Sequence, residues 1–114
     1  MAETIFSKII KKEIKADVVF ESDKVIAIKD INPQAPVHIL IIPKEEINRT
    51  INLDGKKHSQ LLGEMFDAAN KIAKDYKIDD GFRLVINNGE KAGQSVFHLH
   101  MHLLGGRQMN WPPG

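Results

Sequence analysis

Three histidines occupy every second position near the end of the chain: His98, His100 and His102. Imidazole is a nucleophile when neutral, a ligand for zinc, and a group that changes charge near neutral pH. A strand turns successive side chains to opposite faces. A strand over 94–104 would therefore carry three imidazoles on one face and an apolar row on the other, so the pattern predicts a core face and a chemical face.

Three interpretations of this histidine row compete. A solvated strand face leaves both the triad and His38, which lies in another strand-like run, without a purpose. In a metal site, His98 and His102 would stand ~13 Å apart on an unkinked strand, too far for one zinc ion. Two neighbouring histidines and a residue from elsewhere, for which His38 is a candidate, could bind zinc, and the chain has no cysteine. In nucleophilic catalysis, a neutral imidazole attacks phosphorus while a protonated neighbour holds the phosphoryl oxygens. We favour catalysis and keep zinc binding open.

Hydrophobic periodicity predicts the elements that position these residues. Apolar residues at helical spacing and an N-cap at Thr4 indicate a short helix, and a longer apolar stripe that includes Phe66 indicates a second, core-facing helix. His58 lies off that stripe, and we expect it to be exposed. The predicted elements are helices at about 5–11 and 56–76 and strands at 17–21, 24–30, 37–42, 82–87 and 94–104. They predict an α+β domain in which helices pack on one face of an antiparallel sheet of about five strands.

Length and composition narrow the function classes. The 114 residues suit one domain, and a formal net charge of +1 gives no electrostatic argument for a nucleic-acid or membrane partner. Charged residues interrupt the N-terminal apolar residues, so we expect no signal peptide and a cytoplasmic protein.

The glycine-bearing loop at 88–93 leads into the triad and would form a cradle for an anion.

The triad and several further stretches resemble the histidine-triad family, and specifically its Hint branch of nucleotide-binding proteins. They cover most of the chain from about Thr4 onward. The stretches are Thr4-Ile5-Phe6, 30–38, Ile42-Pro43-Lys44, Gly93-Gln94-Ser95-Val96, 98–104 and the tail 105–114. The resemblance implies one histidine-triad domain over 1–114, and a homodimer whose sheet extends across both protomers. It also implies that the tail at about 105–114, with Trp111, reaches toward the partner's active site.

The same resemblance implies hydrolysis of the P–N bond of purine nucleoside 5′-phosphoramidates through a nucleotidyl-histidine. His100 would be the nucleophile and His102 would contact the phosphate. His38 would orient the neighbouring imidazoles, His98 would fix the tautomer of His100 through its carbonyl, and Ser95 would assist the leaving amine. The residues implied in nucleotide binding are Asp30 for the ribose, Phe6, Ile9, Ile28 and Ile31 for the base, and Asn87, Gly93, Gln94, Ser95, His100, His102 and Trp111 toward the phosphate end and tail.

This chemistry needs no cofactor, although zinc binding is compatible with the residue types. Two other functions remain open: hydrolysis of dinucleoside polyphosphates, and non-catalytic binding of nucleotide or zinc. The chain departs from its Hint relatives at Asn110, where a histidine is often found, and at Ile28, where a bulkier aromatic residue can occur. Both departures bear on substrate preference.

Overall fold

Five antiparallel strands form a single sheet in the computed structural model, which describes residues 3–114. The helices and strands are α1 (Ile5–Ile10), β1 (Val18–Glu21), β2 (Val25–Lys29), β3 (Val37–Pro43), α2 (Ser59–Asp75), β4 (Phe82–Val85) and β5 (Met101–Gly105), with 3-10 turns at Thr50–Asn52 and Glu90–Ala92. The strand order is β1-β2-β3-β5-β4, and every pair is antiparallel. The predicted α+β class, with five strands and one long and one short helix, is confirmed.

The short helix α1 begins where the sequence predicts. The Thr4 hydroxyl accepts a hydrogen bond from the Ser7 N–H at 3.1 Å, and the Ser7 hydroxyl accepts one from the Thr4 N–H at 2.8 Å. This reciprocal arrangement is a capping box, which satisfies two backbone donors that a helix start would otherwise leave unpaired. It fixes the entry of a helix whose inward residues Phe6 and Ile9 are each 6% exposed.

The two helices pack on opposite faces of the sheet, so the prediction that both cover one face was wrong. Along the central strands, successive apolar side chains point to opposite faces of the sheet. Both faces of the sheet are therefore apolar at its centre, and each needs to be covered. On the α2 face, Val25 and Ala27 of β2 belong to the large core with Met65 and Ile72 of α2. On the α1 face, the smaller apolar cluster consists of Phe6, Ile9, Ile26, Ile28, Leu40 and Ile42.

The last strand, β5, is shorter than predicted, because it begins at Met101 and leaves His98 and His100 outside it. Its ladder with β3 pairs Ile41 with Met101 and goes no further. Pro43, two residues along β3, has no N–H to continue the ladder. The Leu99 N–H instead donates to the Ile47 carbonyl at 2.7 Å. The alternation of apolar and histidine residues nevertheless survives, since Leu99, Met101 and Leu103 are all within the α2-face core.

Two predictions about the long helix were wrong. His58 is buried, with 6% of its surface exposed, because its Nδ1 accepts the Asp54 N–H at 2.8 Å and its Nε2 lies 3.2 Å from Glu45 Oε2. Phe66, placed on the core stripe, is 48% exposed, whereas its neighbour Met65 is 1% exposed. The helix buries a narrower stripe than the apolar pattern indicated. Within residues 3–114, no helix has the length and apolar character needed to cross a bilayer.

Candidate active site

Four of the five histidines gather beside α1 in one continuous row of rings. The Phe6 ring lies edge-on to His100, with centroids 4.9 Å apart, and 6.4 Å from His98. The His102 ring lies 5.1 Å from His100 and 5.2 Å from His38. The structure thus brings together the triad and His38, which the sequence analysis connected only by residue type. The register of β3 and β5 accounts for this, because it places Leu40 opposite His102. His38 is two residues before Leu40 on β3, so its side chain lies on the same face of the sheet as His102.

Backbone carbonyls anchor the two histidines that precede β5. His98 Nε2 lies 2.7 Å from the Pro43 carbonyl oxygen, and His100 Nδ1 lies 2.8 Å from the His98 carbonyl oxygen. A carbonyl accepts only, so the proton of a neutral His100 ring sits on Nδ1. The lone pair of His100 is therefore on Nε2, the atom that faces away from this anchor. The predicted hydrogen bond from His100 to the His98 carbonyl is present.

A second pair of hydrogen bonds fixes the proton positions of His38 and His102. The Gln34 N–H donates to His38 Nδ1 at 3.0 Å, so the ring proton of neutral His38 lies on Nε2. His38 Nε2 is 2.9 Å from His102 Nδ1, which must therefore accept. A neutral His102 then carries its proton on Nε2. The hydrogen bonds from Gln34 through His38 thus leave neutral His102, whose ring lies 5.1 Å from that of His100, with an N–H donor on Nε2.

Burial lowers the pKa of all three central histidines. For His100 the main cause is desolvation, and the nearby His98 also lowers it, while the hydrogen bond to the His98 carbonyl raises it. For His102, desolvation and the neighbouring His100 and His38 lower the pKa to about 4. Burial also lowers the pKa of His38, although the Asp30 carboxylate raises it in part. Without a ligand, His38, His100 and His102 are neutral near pH 7. The protonated flanking imidazole expected from the sequence is therefore not needed, because neutral His102 already offers an N–H.

Asp30 stands at the end of β2, within reach of the histidine row. Its N–H donates to the His38 carbonyl at 3.0 Å, and its Oδ1 accepts the Asn32 N–H at 2.8 Å. Its second oxygen, Oδ2, lies 3.4 Å from His38 Nε2. The carboxylate side chain is 18% exposed, which leaves it accessible to a ligand at the open side of the row.

The apolar residues predicted to enclose a base divide into two groups. Phe6, Ile9 and Ile28 are buried in the α1-face cluster, with exposures of 6%, 6% and 4%. Ile31 is 97% exposed and lies in the loop after β2. The first three belong to one apolar cluster, in which the Phe6 ring lies against His100, whereas Ile31 lies outside this cluster.

The loop before the triad is held by the side chain of Gln94, which is only 3% exposed. Its Nε2 donates to the Asn48 and Val96 carbonyls, each at 3.0 Å, and its Oε1 accepts the Gly89 N–H at 2.8 Å. Its own N–H donates to the Gly89 carbonyl at 3.1 Å. Gln94 therefore braces the loop, and its donors are not directed at a ligand, in contrast to the expectation from the sequence.

Gly93, like Gln94, shapes the loop and does not offer its N–H to a ligand. It has φ +94°, a conformation that favours glycine, and its N–H donates to the Glu90 carbonyl at 2.9 Å. Within residues 3–114, the N–H groups of Ser95 and Val96 donate to no backbone carbonyl. These two are the better candidates for anion donors. Val96 was missed because no side-chain pattern marks a free backbone N–H.

The remaining predicted residues lie at the margin of the site. Ser95 is exposed and Asn87 half-buried, on either side of the braced loop. Trp111 is 82% exposed. The tail is tied to its own chain by Arg83, which donates to the Asn110 carbonyl at 2.9 Å, and by Arg107, which donates to the Gln34 carbonyl at 3.1 and 3.2 Å. The indole itself is thus presented to solvent.

The two groups that fix the ring protons, the Gln34 N–H and the Pro43 carbonyl, were also missed, again because they belong to the backbone.

One group of side chains has the residue types of a metal site. The potential ligand atoms of Asp30, His38 and His102 all lie within 4.8 Å of one another. Zinc on His38 Nε2 requires a lone pair there and hence a proton on Nδ1. That proton would oppose the Gln34 N–H, which already points at Nδ1. The residue types fit zinc, but the proton arrangement opposes it unless the Gln34 peptide moves.

Comparison with known proteins identifies the class. The model of the HIT domain matches residues 11–109, so the chain belongs to the HIT family. It is 55% identical to a protein of Zea mays named 14 kDa zinc-binding protein, over 97% of this chain and 88% of the relative. It is 54% identical to adenylylsulfatase HINT1 of Arabidopsis thaliana, over 97% of this chain and 76% of the relative.

Solved structures agree with the fold. A HIT family hydrolase from Legionella pneumophila has a TM-score of 0.95 and 46% identity, covering 98% of this chain and all of that one. A histidine triad nucleotide-binding protein from Candida albicans has a TM-score of 0.82 and 32% identity, with coverages of 96% and 83%. The protein is therefore a Hint-like member of a family of hydrolases.

Proposed function

We propose that the protein hydrolyses purine nucleoside 5′-phosphoramidates, such as adenosine 5′-monophosphate joined to an amine, through a covalent nucleotidyl-histidine. The observation that carries this proposal is the proton arrangement of the histidine row. His100 Nδ1 is held by the His98 carbonyl at 2.8 Å, which leaves a lone pair on Nε2. A neutral imidazole with a fixed lone pair is a competent nucleophile toward phosphorus.

In the first step, His100 Nε2 attacks the α-phosphorus and forms a P–N bond. The bond from phosphorus to the amine breaks, and the amine takes its electron pair and a proton supplied through the Ser95 hydroxyl. His100 becomes positively charged, and the His98 carbonyl stabilises this charge through the Nδ1–H. The outward N–H of His102 donates to a phosphoryl oxygen, where negative charge is concentrated.

In the second step, water attacks the phosphorus of the nucleotidyl-histidine. The bond to His100 Nε2 breaks and its electron pair returns to the ring, while the water gives one proton to Ser95, which replaces the proton that the amine took in the first step. Nucleoside monophosphate leaves and neutral His100 is regenerated. Because His100 stays mostly neutral at pH 7 through its lowered pKa, the enzyme is ready for a further cycle.

The nucleotide lies across the row in this proposal. The Asp30 carboxylate accepts hydrogen bonds from the ribose hydroxyls, and the base rests on Phe6, Ile9 and Ile28, with Ile31 at its outer edge. The phosphate lies against the loop, with the Asn87 side chain and the N–H groups of Ser95 and Val96 as donors. Gly93 and Gln94 give this loop its shape.

The substrate assignment is tested by comparing turnover of an adenosine phosphoramidate with that of a diadenosine polyphosphate. We expect the phosphoramidate to have the higher kcat/KM, and strong preference for the polyphosphate would refute the assignment. Adenylyl sulfate belongs in the same assay, because the Arabidopsis thaliana relative is named an adenylylsulfatase. Its leaving group departs from the same phosphorus, so hydrolysis of both compounds would be consistent with one mechanism.

We further propose that the protein is a homodimer that extends the sheet through β4. This strand lies at one edge of the sheet. At the other edge, the register of β1 shifts between Val18 and Phe20, and such bulges discourage pairing with a further strand. Sedimentation velocity should show a species of twice the 12.8 kDa chain mass. A monomer at micromolar concentration would contradict this. The dimer would carry the tail and Trp111 toward the partner's site.

Hydrolysis in this scheme requires no metal, since His100 supplies the nucleophile and hydrogen bonds stabilise the charge. Zinc on Asp30, His38 and His102 would take the lone pair that His102 Nδ1 offers to His38, and would compete with the proton arrangement. We expect kcat/KM to survive exhaustive chelation, and calorimetry to show only weak zinc binding, which Asp30→Asn weakens further. Activity lost on chelation and restored by zinc would show that the metal is required.

A further inference from the structure

One arginine connects the C-terminal tail to the loop that precedes His38. Arg107 Nε and Nη2 donate to the Gln34 carbonyl at 3.2 and 3.1 Å, and Nη1 donates to the Gln108 carbonyl at 3.1 Å. Among the described residues, 3–114, no carboxylate lies within 4.0 Å of Arg107. The guanidinium therefore serves to hold backbone carbonyls, and one of them belongs to a distant segment of the chain.

The glycine at position 106 brings the tail close enough for this contact. Gly106 has φ +89°, which glycine adopts without strain, and a Cβ at this position would lie 3.0 Å from the Pro36 Cβ. The chain thus passes directly against the loop at 31–36 as it leaves β5. The tail meets this loop twice, at Pro36 through the backbone and at Gln34 through Arg107.

Gln34 carries the effect of this contact to the rings. Its N–H donates to His38 Nδ1 at 3.0 Å, and His38 Nε2 lies 2.9 Å from His102 Nδ1. Three successive contacts therefore join the Arg107 guanidinium to His102. The last two are the contacts that place the ring protons of neutral His38 and His102 on Nε2.

This proton arrangement needs an anchor because its donor belongs to an exposed residue. Gln34 is exposed, whereas His38 is buried, so water competes for the Gln34 backbone but not for the His38 ring. If the Gln34 N–H turned away, the proton of neutral His38 would be free to occupy Nδ1. His38 Nε2 would then accept a hydrogen bond from His102 Nδ1, and His102 Nε2 would have no proton. Both rings would stay neutral, but the donor on His102 Nε2 would be lost.

We propose that Arg107 is a positioning residue for the attack on phosphorus: it holds the Gln34 backbone and so keeps the proton of His102 on Nε2. The proposal rests on the proposed function, in which this N–H donates to a phosphoryl oxygen. Arg107 acts through Gln34 and His38 rather than on the substrate. Its rigid fork suits the task, since two donors of one plane fix a carbonyl oxygen more closely than a single ammonium group.

The first test locates the ring protons directly. In the NMR spectrum of protein labelled with ¹⁵N at histidine, protonated and unprotonated ring nitrogens have separate resonances. With the wild type at neutral pH in the presence of a chelator, we expect the protons of His38 and His102 on Nε2. Arg107→Gln should move a measurable share of both protons to Nδ1, and Arg107→Lys a smaller share. Arg83→Gln is the matched control, because it releases the tail at the Asn110 carbonyl and leaves Gln34 held.

The second test is kcat for an adenosine phosphoramidate. Arg107→Gln should lower kcat several-fold, and Arg107→Lys should lower it less. In a His38→Ala background, Arg107→Gln should have no further effect, because the connection to His102 is already missing.

Several results would overturn the positioning role. These are wild-type ring protons in Arg107→Gln, the same proton shift in Arg83→Gln, a proton shift that leaves kcat unchanged, and an undiminished effect of Arg107→Gln in the His38→Ala background. The proposed function fails separately: if the ring protons move as expected but the wild type hydrolyses no phosphoramidate, Arg107 still positions the ring protons and the proposed reaction is wrong.

Discussion

The two faces of the sheet use the same strands for different purposes. On the α2 face, Met65, Ile72, Met101 and Leu103 belong to the large apolar core, and each of these four is at most 2% exposed. On the α1 face, the apolar cluster is smaller and borders a row of four imidazoles, of which three contact backbone groups and the fourth, His102, contacts His38. Stability therefore resides mainly in the α2 face and reactivity in the α1 face, and substitutions can separate the two properties.

The largest expected effect is on the reactive face. His100→Asn removes the nucleophile but keeps an N–H donor for the His98 carbonyl, so we expect kcat/KM for an adenosine phosphoramidate to fall by on the order of 10⁴-fold. The circular dichroism spectrum should stay close to that of the wild type. A variant that retains a tenth or more of the activity would show that another group attacks the phosphorus.

The α2 face should respond in the opposite way. Met65→Ala leaves a cavity in the core and should lower the free energy of unfolding by ~2–5 kcal/mol in a urea titration, while the folded enzyme keeps its kcat. Phe66→Ala is the matched control, because this neighbouring residue is 48% exposed and should cost far less. A kcat that falls along with the stability of Met65→Ala would mean that the two faces are coupled.

The smallest expected effect is the pH dependence of stability. The pKa of His102 is lowered from its ordinary 6.5 to about 4 by burial, so the unfolded chain binds the proton more readily than the folded one. The free energy of unfolding should therefore rise with pH between about 4 and 6.5 and lose this contribution as the pH falls. His102→Asn should reduce the slope of the free energy of unfolding against pH. Met65→Ala should lower the free energy of unfolding at every pH and leave this slope unchanged. Urea titrations across this range measure both, and an unchanged slope in His102→Asn would contradict the assignment.

The same lowered pKa values bear on catalysis. Since burial lowers the pKa of His100, its neutral and nucleophilic form persists below pH 6.5. The acidic limb of the kcat/KM profile should accordingly have its midpoint below that value.

Much of the fold follows from local sequence pattern. The capping box at Thr4 and Ser7, the stop at Pro43 and the apolar stripe of α2 are each encoded within a few residues. The contact between His38 and His102 is different, because it joins residues 64 positions apart and depends on the register of β3 and β5. Residue type suggested that these histidines meet, but only the register brings their rings together.

The wrong predictions for His58, β5 and Gln94 each involve a contact that the spacing of side chains does not reveal. His58 is buried because the Asp54 N–H and Glu45 meet its ring. The strand β5 starts late because Pro43 lacks an N–H. Gln94 braces the loop because carbonyls of two segments converge on its amide. Side-chain periodicity carries no information about which backbone donors and acceptors are left unpaired by the fold.

The most direct test of covalent catalysis at His100 is intact-mass spectrometry during turnover. Wild-type protein is mixed with an adenosine phosphoramidate, quenched rapidly without acid, and compared with His100→Asn. We predict a transient adduct with the mass of one adenylyl group on the wild type and none on the variant. Turnover by the wild type without an adduct, or the same adduct on His100→Asn, would contradict the assignment of His100 as nucleophile.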